Sequence, residues 1–373
     1  MPARSPRAPG PRPHLATTQP SIAHVLIGST RTPALGMASL WRGSPAPNRA
    51  RPAAAGRGSL PALQQLLLTL LLALLGLAPP NSPAEASRPA DCPDGTTLRA
   101  NLERTVDELT ALGPRHNGTP QAYARAAALI AHRLTALGLP FETLTRPAAP
   151  DGPPVLVASL GGTDADPTLL FCAHYDTVHG SPGACDNAAG VAVLLELARL
   201  LATAPTLPGL RIAFFPDEEE PNFMTARSGS VFYAELLAAR GVRPGRVITM
   251  DALGATAPST GPAALPGVAS GAVVIGARKA SGALALALVS ELNVFQPTEA
   301  VISDAGAQWI DRSDHAPFAA RGWQAVLATS PGVAFAPCLH KPCDLPASID
   351  FTVLKNTACG LINYIAHMQG GQP

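Results

Sequence analysis

The chain has 373 residues, 47% of them hydrophobic, enough for one large domain or two ordinary ones around a substantial core. Its formal charge of +1 is unevenly spread: residues 1–86 carry eight Arg and one acidic residue, Glu85, which leaves 19 basic and 25 acidic groups in 87–373, a net of about −6. A body of that sign has no broad basic stripe for phosphates, which excludes nucleic acid as the expected partner.

Residues 1–60 are rich in Pro, Arg, Ala and Gly without sustained periodicity and read as a disordered extension, with Met37 an equally good start. From Met37 the pattern is that of an export signal. Arg42, Arg49, Arg51 and Arg57 are its basic part, Leu66 to Ala78 is apolar apart from Thr69, and Ala84-Glu85-Ala86 is a small-x-small cleavage site before Ser87. Residues 61–86 are thus expected as the apolar and cleavage region and 87–96 as a linker, giving a periplasmic or extracellular product. The alternatives are an uncleaved anchor and a cytosolic product. The thirteen residues of this run make a helix of about 20 Å against a hydrocarbon core of roughly 30 Å, so no stable membrane partner is expected unless the segment is retained. A monomer is favoured, with the oligomeric state open.

The folded domain is expected over 97–371. Amphipathic periodicity gives helices over Leu98–Leu112, ended by Gly113-Pro114, and Gln121–Leu137, ended by Gly138. Strand-like runs follow at Phe141–Thr145, Val155–Leu160 and Thr168–Ala173, then an apolar helix at Ala188–Leu201 and a strand at Leu210–Phe215. A helix near Ser230–Ala239, strands at Arg246–Met250 and Ala272–Ile275, a helix at Ser281–Leu292, a strand at Ala325–Ala328 and a helix at Phe351–Met368 complete the series. Strands alternating with helices imply an α/β layered fold around a largely parallel sheet. The six cysteines contain no CxxC pair, which argues against a zinc ribbon or a thioredoxin-like site. Cys338 and Cys343 flank a short loop and could be bonded if the chain is exported.

Several short segments carry chemistry. His174-Tyr-Asp176 closes the strand TLLFCA, and at period two His174 and Asp176 project to one side, so the carboxylate can fix the imidazole tautomer. Asp186, in Gly183-Ala-Cys-Asp186-Asn187-Ala-Ala-Gly190, precedes a helix and could be an ordinary N-cap. A cap does not explain the small residues crowding both sides, whereas close approach of backbone to a metal or substrate does. Asp217-Glu218-Glu219-Glu220 follows the strand LRIAFF, a solvated turn unless a divalent cation offsets the repulsion. Asp251 ends the strand RVITM, and His340 lies in the loop Cys338-Leu-His340-Lys-Pro-Cys343-Asp344. Four of these groups sit at the C-terminal ends of expected strands, the edge where open α/β sheets place their sites. Two His and three carboxylates suit two divalent cations sharing one acid.

Taken in order, His-x-Asp, Gly-Ala-x-Asp-Asn, Glu-Glu, Asp, SDHxPF and His, together with GPRHNGTPQAYARAAALIAHRLTALG near the start, resemble the secreted bacterial di-zinc aminopeptidases, relatives of glutamate carboxypeptidase, transferrin receptor and glutaminyl cyclase. The resemblance covers roughly 98–368. It implies a three-layer α/β/α sandwich around a mixed, largely parallel sheet, and a peptide substrate with a free N-terminus. It implies two Zn2+, or other divalent cations, bridged by Asp186, with His174 and Asp251 completing one site and Glu219 and His340 the other. Glu218 becomes the general base and Asp176 the partner of His174; a register shifted to Glu219–Glu220 stays open. The resemblance also implies a cis peptide at Asp186–Asn187 and a disulfide across Cys338 and Cys343. Asp314 and His315 are expected as pocket-lining rather than ligating, and His116, His132, His179 and His367 as surface or structural. Leu339 stands where some relatives carry a Tyr that steadies the tetrahedral intermediate, so the oxyanion donor is open. Alternative readings are a single-zinc glutaminyl cyclase, a carboxypeptidase, and a catalytically inactive binding relative.

Overall fold

A computed structural model describes residues 95–160, 167–202, 209–256, 271–304, 310–331 and 337–370; the expected leader at 61–86 lies outside the described residues. The first helix, α1 (Gly95–Thr110), begins inside the segment expected as a linker and buries Leu98, Leu102, Val106 and Leu109, spaced by one helical turn each. Helix α2 (Pro120–Ala136) starts with Pro120 in its first turn and buries Tyr123, Ala126, Ile130 and Leu134. Then come β1 (Phe141–Leu144), β2 (Val155–Ser159), β3 (Leu169–His174), α3 (Ala189–Leu201), β4 (Leu210–Phe215), α4 (Gly229–Ala239) and β5 (Val247–Met250). The chain continues through β6 (Val273–Ala277), α5 (Gly282–Leu292), β7 (Thr298–Ile302), α6 (Ala316–Ala320), β8 (Ala325–Thr329) and α7 (Phe351–Gly370).

The strands form one eight-stranded sheet in the order β1-β2-β4-β3-β5-β8-β6-β7. The central four, β4-β3-β5-β8, are mutually parallel. The flanks turn antiparallel, at β1/β2/β4 on one side and β8/β6 on the other, with β7 parallel to β6 at the edge. Alternate strand residues feed two cores. Leu156, Phe171, Ile212, Phe214, Ile248 and Ile275 pack with α1, α2, α3, α5 and α7. Val157, Leu170, Cys172, Ala213 and Val247 pack with α4, Phe318 of α6 and Trp323. Because the central strands are buried on both faces, they read in sequence as unbroken apolar runs rather than alternating ones. This is the three-layer α/β/α sandwich expected, and the parallel quartet aligns its strand C-termini along one edge.

Two elements were not anticipated. Strand β7 is an edge strand of mixed, mostly partial burial that includes the exposed Glu299, so it lacks a clean apolar pattern. Helix α6 is five residues long, too short to show a helical period, and it starts at Ala316-Pro317 directly after His315. No helix among the described residues is long and apolar enough to cross a membrane.

Candidate metal centre

The site assembles at the C-terminal edge of the parallel quartet. His174 is the last residue of β3, Glu218 and Glu219 follow β4, and Asp251 directly follows β5. Asp186 lies on an irregular turn between Gly183 and α3, with its own backbone outside the helical region (φ −119°, ψ 87°). It is therefore not the cap of that helix. The peptide between Asp186 and Asn187 is cis. His340 comes from a loop closed by a Cys338–Cys343 disulfide and has a positive φ of 59°.

These six groups, 166 residues apart at the extremes, converge. His174 Nε2 stands 3.2 Å from Asp186 Oδ1, 3.3 Å from Asp251 Oδ1 and 3.9 Å from Glu218 Oε2. His340 Nε2 stands 3.0 Å from Asp186 Oδ2 and 3.4 Å from Glu219 Oε2. Asp186 thus offers one oxygen to each histidine. The donor sets His174–Asp186–Asp251 and Asp186–Glu219–His340 are each compact enough to hold one ion, as is His174–Glu218–Glu219. Glu220 is exposed, so the buried acidic pair is Glu218–Glu219.

The surroundings fix this geometry. The Asp176 carboxylate lies 3.5 Å from His174 Nδ1 and accepts the backbone N–H groups of Glu218 (3.2 Å) and Glu219 (3.0 Å). The Asp344 carboxylate accepts the N–H groups of Cys185 (2.8 Å) and Asp186 (3.1 Å), tying the His340 loop to the turn that carries Asp186. Arg115, fully buried, donates to the carbonyls of Tyr175, Pro182 and Gly183, and burial pulls its pKa down to about 10. Asn187 donates to the carbonyl of Met250 (2.8 Å) and accepts the N–H of Gly190 (3.0 Å). A Cβ at Gly190 would stand 2.3 Å from Asn187 Oδ1, which is why a residue without one opens this helix.

The electrostatics call for positive charge. Burial, reinforced by neighbouring carboxylates and opposed by His174, holds Glu218 and Glu219 well above the usual carboxylate range. Burial also pushes Asp186 up, but hydrogen bonds from His174 and His340 carry it below its ordinary value. Among the described residues, the ionic partners of Asp186, Glu218, Glu219 and Asp251 are His174 and His340 alone. Glu219 Oε1 is buried with no hydrogen-bond partner. Four acids grouped this tightly, with an orphaned oxygen and two imidazoles, fit divalent cations in chemistry and in number of donors.

Asp314 lies buried near His174 and Asp251, His315 is buried next to it in sequence, and neither belongs to any of the three donor sets. Burial raises Asp314 to about 7 and lowers His315 to about 4. His116 and His179 face one another at 5.1 Å, and His367 pairs with Glu291 at 2.7 Å. Sequence reasoning passed over Asp344 and Arg115. Asp344 could have been flagged because it ends the loop that carries His340; Arg115 lies in the GPRHNGTP segment, but an Arg there gives no sign that it anchors backbone carbonyls.

The family model for Peptidase family M28 matches residues 155–365, more than half of the chain, from β2 into α7. The chain belongs to peptidase family M28. The uncharacterized protein YfbL of Escherichia coli K12 is 33% identical over 145 residues, 36% of this chain and 45% of YfbL, so the match spans less than half of that relative. In fold, this M28 chain is similar to the LapA aminopeptidase of Legionella pneumophila (TM-score 0.60, 16% identity, 76% of this chain and 77% of LapA). It is also similar to the glutaminyl cyclase of Porphyromonas gingivalis (TM-score 0.56, 21% identity, 75% of this chain and all of that one).

Proposed function

We propose that this M28 chain is an exported metallo-aminopeptidase that hydrolyses the N-terminal peptide bond of peptides, with two zinc or similar divalent cations and Glu218 as general base. The observation that carries the reading is the convergence of His174 and His340 on opposite oxygens of Asp186, at 3.2 and 3.0 Å, with Asp251 and Glu219 completing a donor set on either side. Asp186, His174 and Asp251 would hold one ion, and Asp186, Glu219 and His340 would hold the other. When bound, the cations supply Lewis-acid polarisation of the scissile carbonyl and acidify water.

The chain's own residues do the rest. Glu218, a buried carboxylate close to His174 and belonging to neither bridged set, accepts the proton of the attacking water and later delivers it to the leaving amine. Asp176 fixes the His174 ring and the backbone of the Glu218–Glu219 turn together. The basic, apolar and small-residue pattern before Ser87 supports export, and the Cys338–Cys343 bond suits an oxidising compartment.

Two three-group sets sharing one acid favour this reading over a cyclase that uses a single ion, and full occupancy of all six positions favours it over an inactive relative. The test is metal analysis with a panel of aminoacyl anilides. The expected result is two ions per chain, and a Glu218→Gln variant that keeps both while losing roughly 10²–10⁴-fold in kcat. Wild-type turnover by that variant, or zinc-reconstituted protein that holds no metal, refutes the proposal.

A further inference from the structure

The turn that presents Glu218 and Glu219 is gripped from two sides. From β3, Asp176 takes both backbone N–H groups of the pair. From the other side the grip falls on Asp217, a residue with a Cβ held at φ +58°. Its N–H donates to the Tyr123 hydroxyl at 2.7 Å, and that hydroxyl donates back to Asp217 Oδ1 at 3.3 Å. Asn117 Nδ2 donates to the same oxygen at 3.1 Å. Arg146 Nη1 donates to Oδ2 at 2.8 Å, in an ion pair whose side chains are 0% and 2% exposed. Arg146 in turn donates to the carbonyls of Pro153 and Arg227, the second of which lies beyond the acidic turn.

Simple stability does not explain such an arrangement. A buried ion pair costs desolvation that an apolar pair of equal volume avoids, and a left-handed turn is met more readily by Gly or Asn. What the network supplies is direction. It converts the end of β4 into a fixed left-handed kink, so that the next two side chains face His174 and His340 instead of continuing the strand's alternation. Asn117 and Tyr123 lie in the GPRHNGTPQAY segment, while the family model itself starts at residue 155.

We propose that Tyr123 and Arg146, acting through Asp217, are positioning residues that aim the Glu218 carboxylate. The proposal rests on Glu218 being the general base. It predicts that removing the Tyr123 hydroxyl misplaces the base without emptying the metal site, and an error of about 1 Å in a reacting group costs on the order of 10²-fold in rate.

The experiment uses the full zinc-loaded protein with Tyr123→Phe, which keeps the ring against Tyr175 at a centroid distance of 5.5 Å and deletes one oxygen. Expected are a kcat about 10- to 100-fold lower, an unchanged KM and two ions per chain. Arg146→Lys, which keeps the charge but not the fork, should retain more kcat than Arg146→Met. If Tyr123→Phe turns over like wild type while Glu218→Gln does not, the base stands and the positioning role falls. If Tyr123→Phe loses metal or cooperative unfolding, its role is structural and the proposal falls too. If Glu218→Gln itself turns over, the failure belongs to the reading of the base.

Discussion

Gly190→Ala tests whether the small residues around Asp186 are there for close approach. The added methyl would meet Asn187 Oδ1 at 2.3 Å and the Met250 carbonyl oxygen at 2.7 Å, both shorter than real Cβ contacts. The Met250 carbonyl belongs to a central strand and cannot retreat, so the Asn187 side chain must leave. That breaks its bonds to Met250 O and Gly190 N, each worth about 1 kcal/mol net. Residual overpacking adds about 1–3 kcal/mol. The better helix propensity of Ala returns about 1 kcal/mol, leaving a net loss of about 2–4 kcal/mol. For a domain of this size the melting temperature should fall by roughly 5–15 °C, measured calorimetrically on the zinc-loaded protein. Gly282→Ala is the control: it also opens a helix, α5, but its methyl would meet Ile302 at 3.4 Å, an ordinary contact. It should be neutral or slightly stabilising. Equal melting of the two variants, or a wild-type value for Gly190→Ala, refutes the close-approach argument. Zinc affinity should fall with Gly190→Ala as well, because Asn187 is bonded next to Asp186.

Two further outcomes follow from the same geometry. His315 is buried and burial lowers its pKa to about 4, outweighing the pull of Asp311 at 3.9 Å. Between pH 6.5 and about 4 the unfolded chain binds a proton that the folded chain refuses, so this group's contribution is whole above 6.5 and is lost as pH falls through that window, by about 3 kcal/mol. Urea titrations at about pH 7 and about pH 4.5 should show a smaller acid loss for His315→Gln than for wild type, and parallel losses would contradict the account. The Cys338–Cys343 bond closes the loop that bears His340, with Asp344 directly after it. Cys338→Ser with Cys343→Ser should therefore weaken retention of one ion, lowering bound zinc from two towards one on dialysis, and unchanged retention would show that the loop holds itself.

What the sequence disclosed and what it hid divide along a physical line. Strands β3, β4 and β5 were legible because burial on both faces demands unbroken apolar runs, and β7 was not because an edge strand owes its place to hydrogen bonds that any residue can make. Among the site groups, His174, Glu218, Glu219 and Asp251 stand out because they sit at the C-terminal ends of strands, and with Asp186 and His340 they are the donor types a cation takes. The anchors behind them do not stand out. Asp344 binds the N–H groups of Cys185 and Asp186, Arg115 binds carbonyls of Tyr175, Pro182 and Gly183, and Tyr123 binds the N–H of Asp217. Apart from the second bond of Tyr123, to Asp217 Oδ1, these partners are backbone groups, which every residue carries, so the sequence offers little complementary side chain to betray the contact. Such anchors become visible only once the chain has folded and brought residues 60 to 159 positions apart together. The side chains that hold a cation are therefore specified by their chemistry, while the precision with which they are held is specified by residues whose identity alone says little.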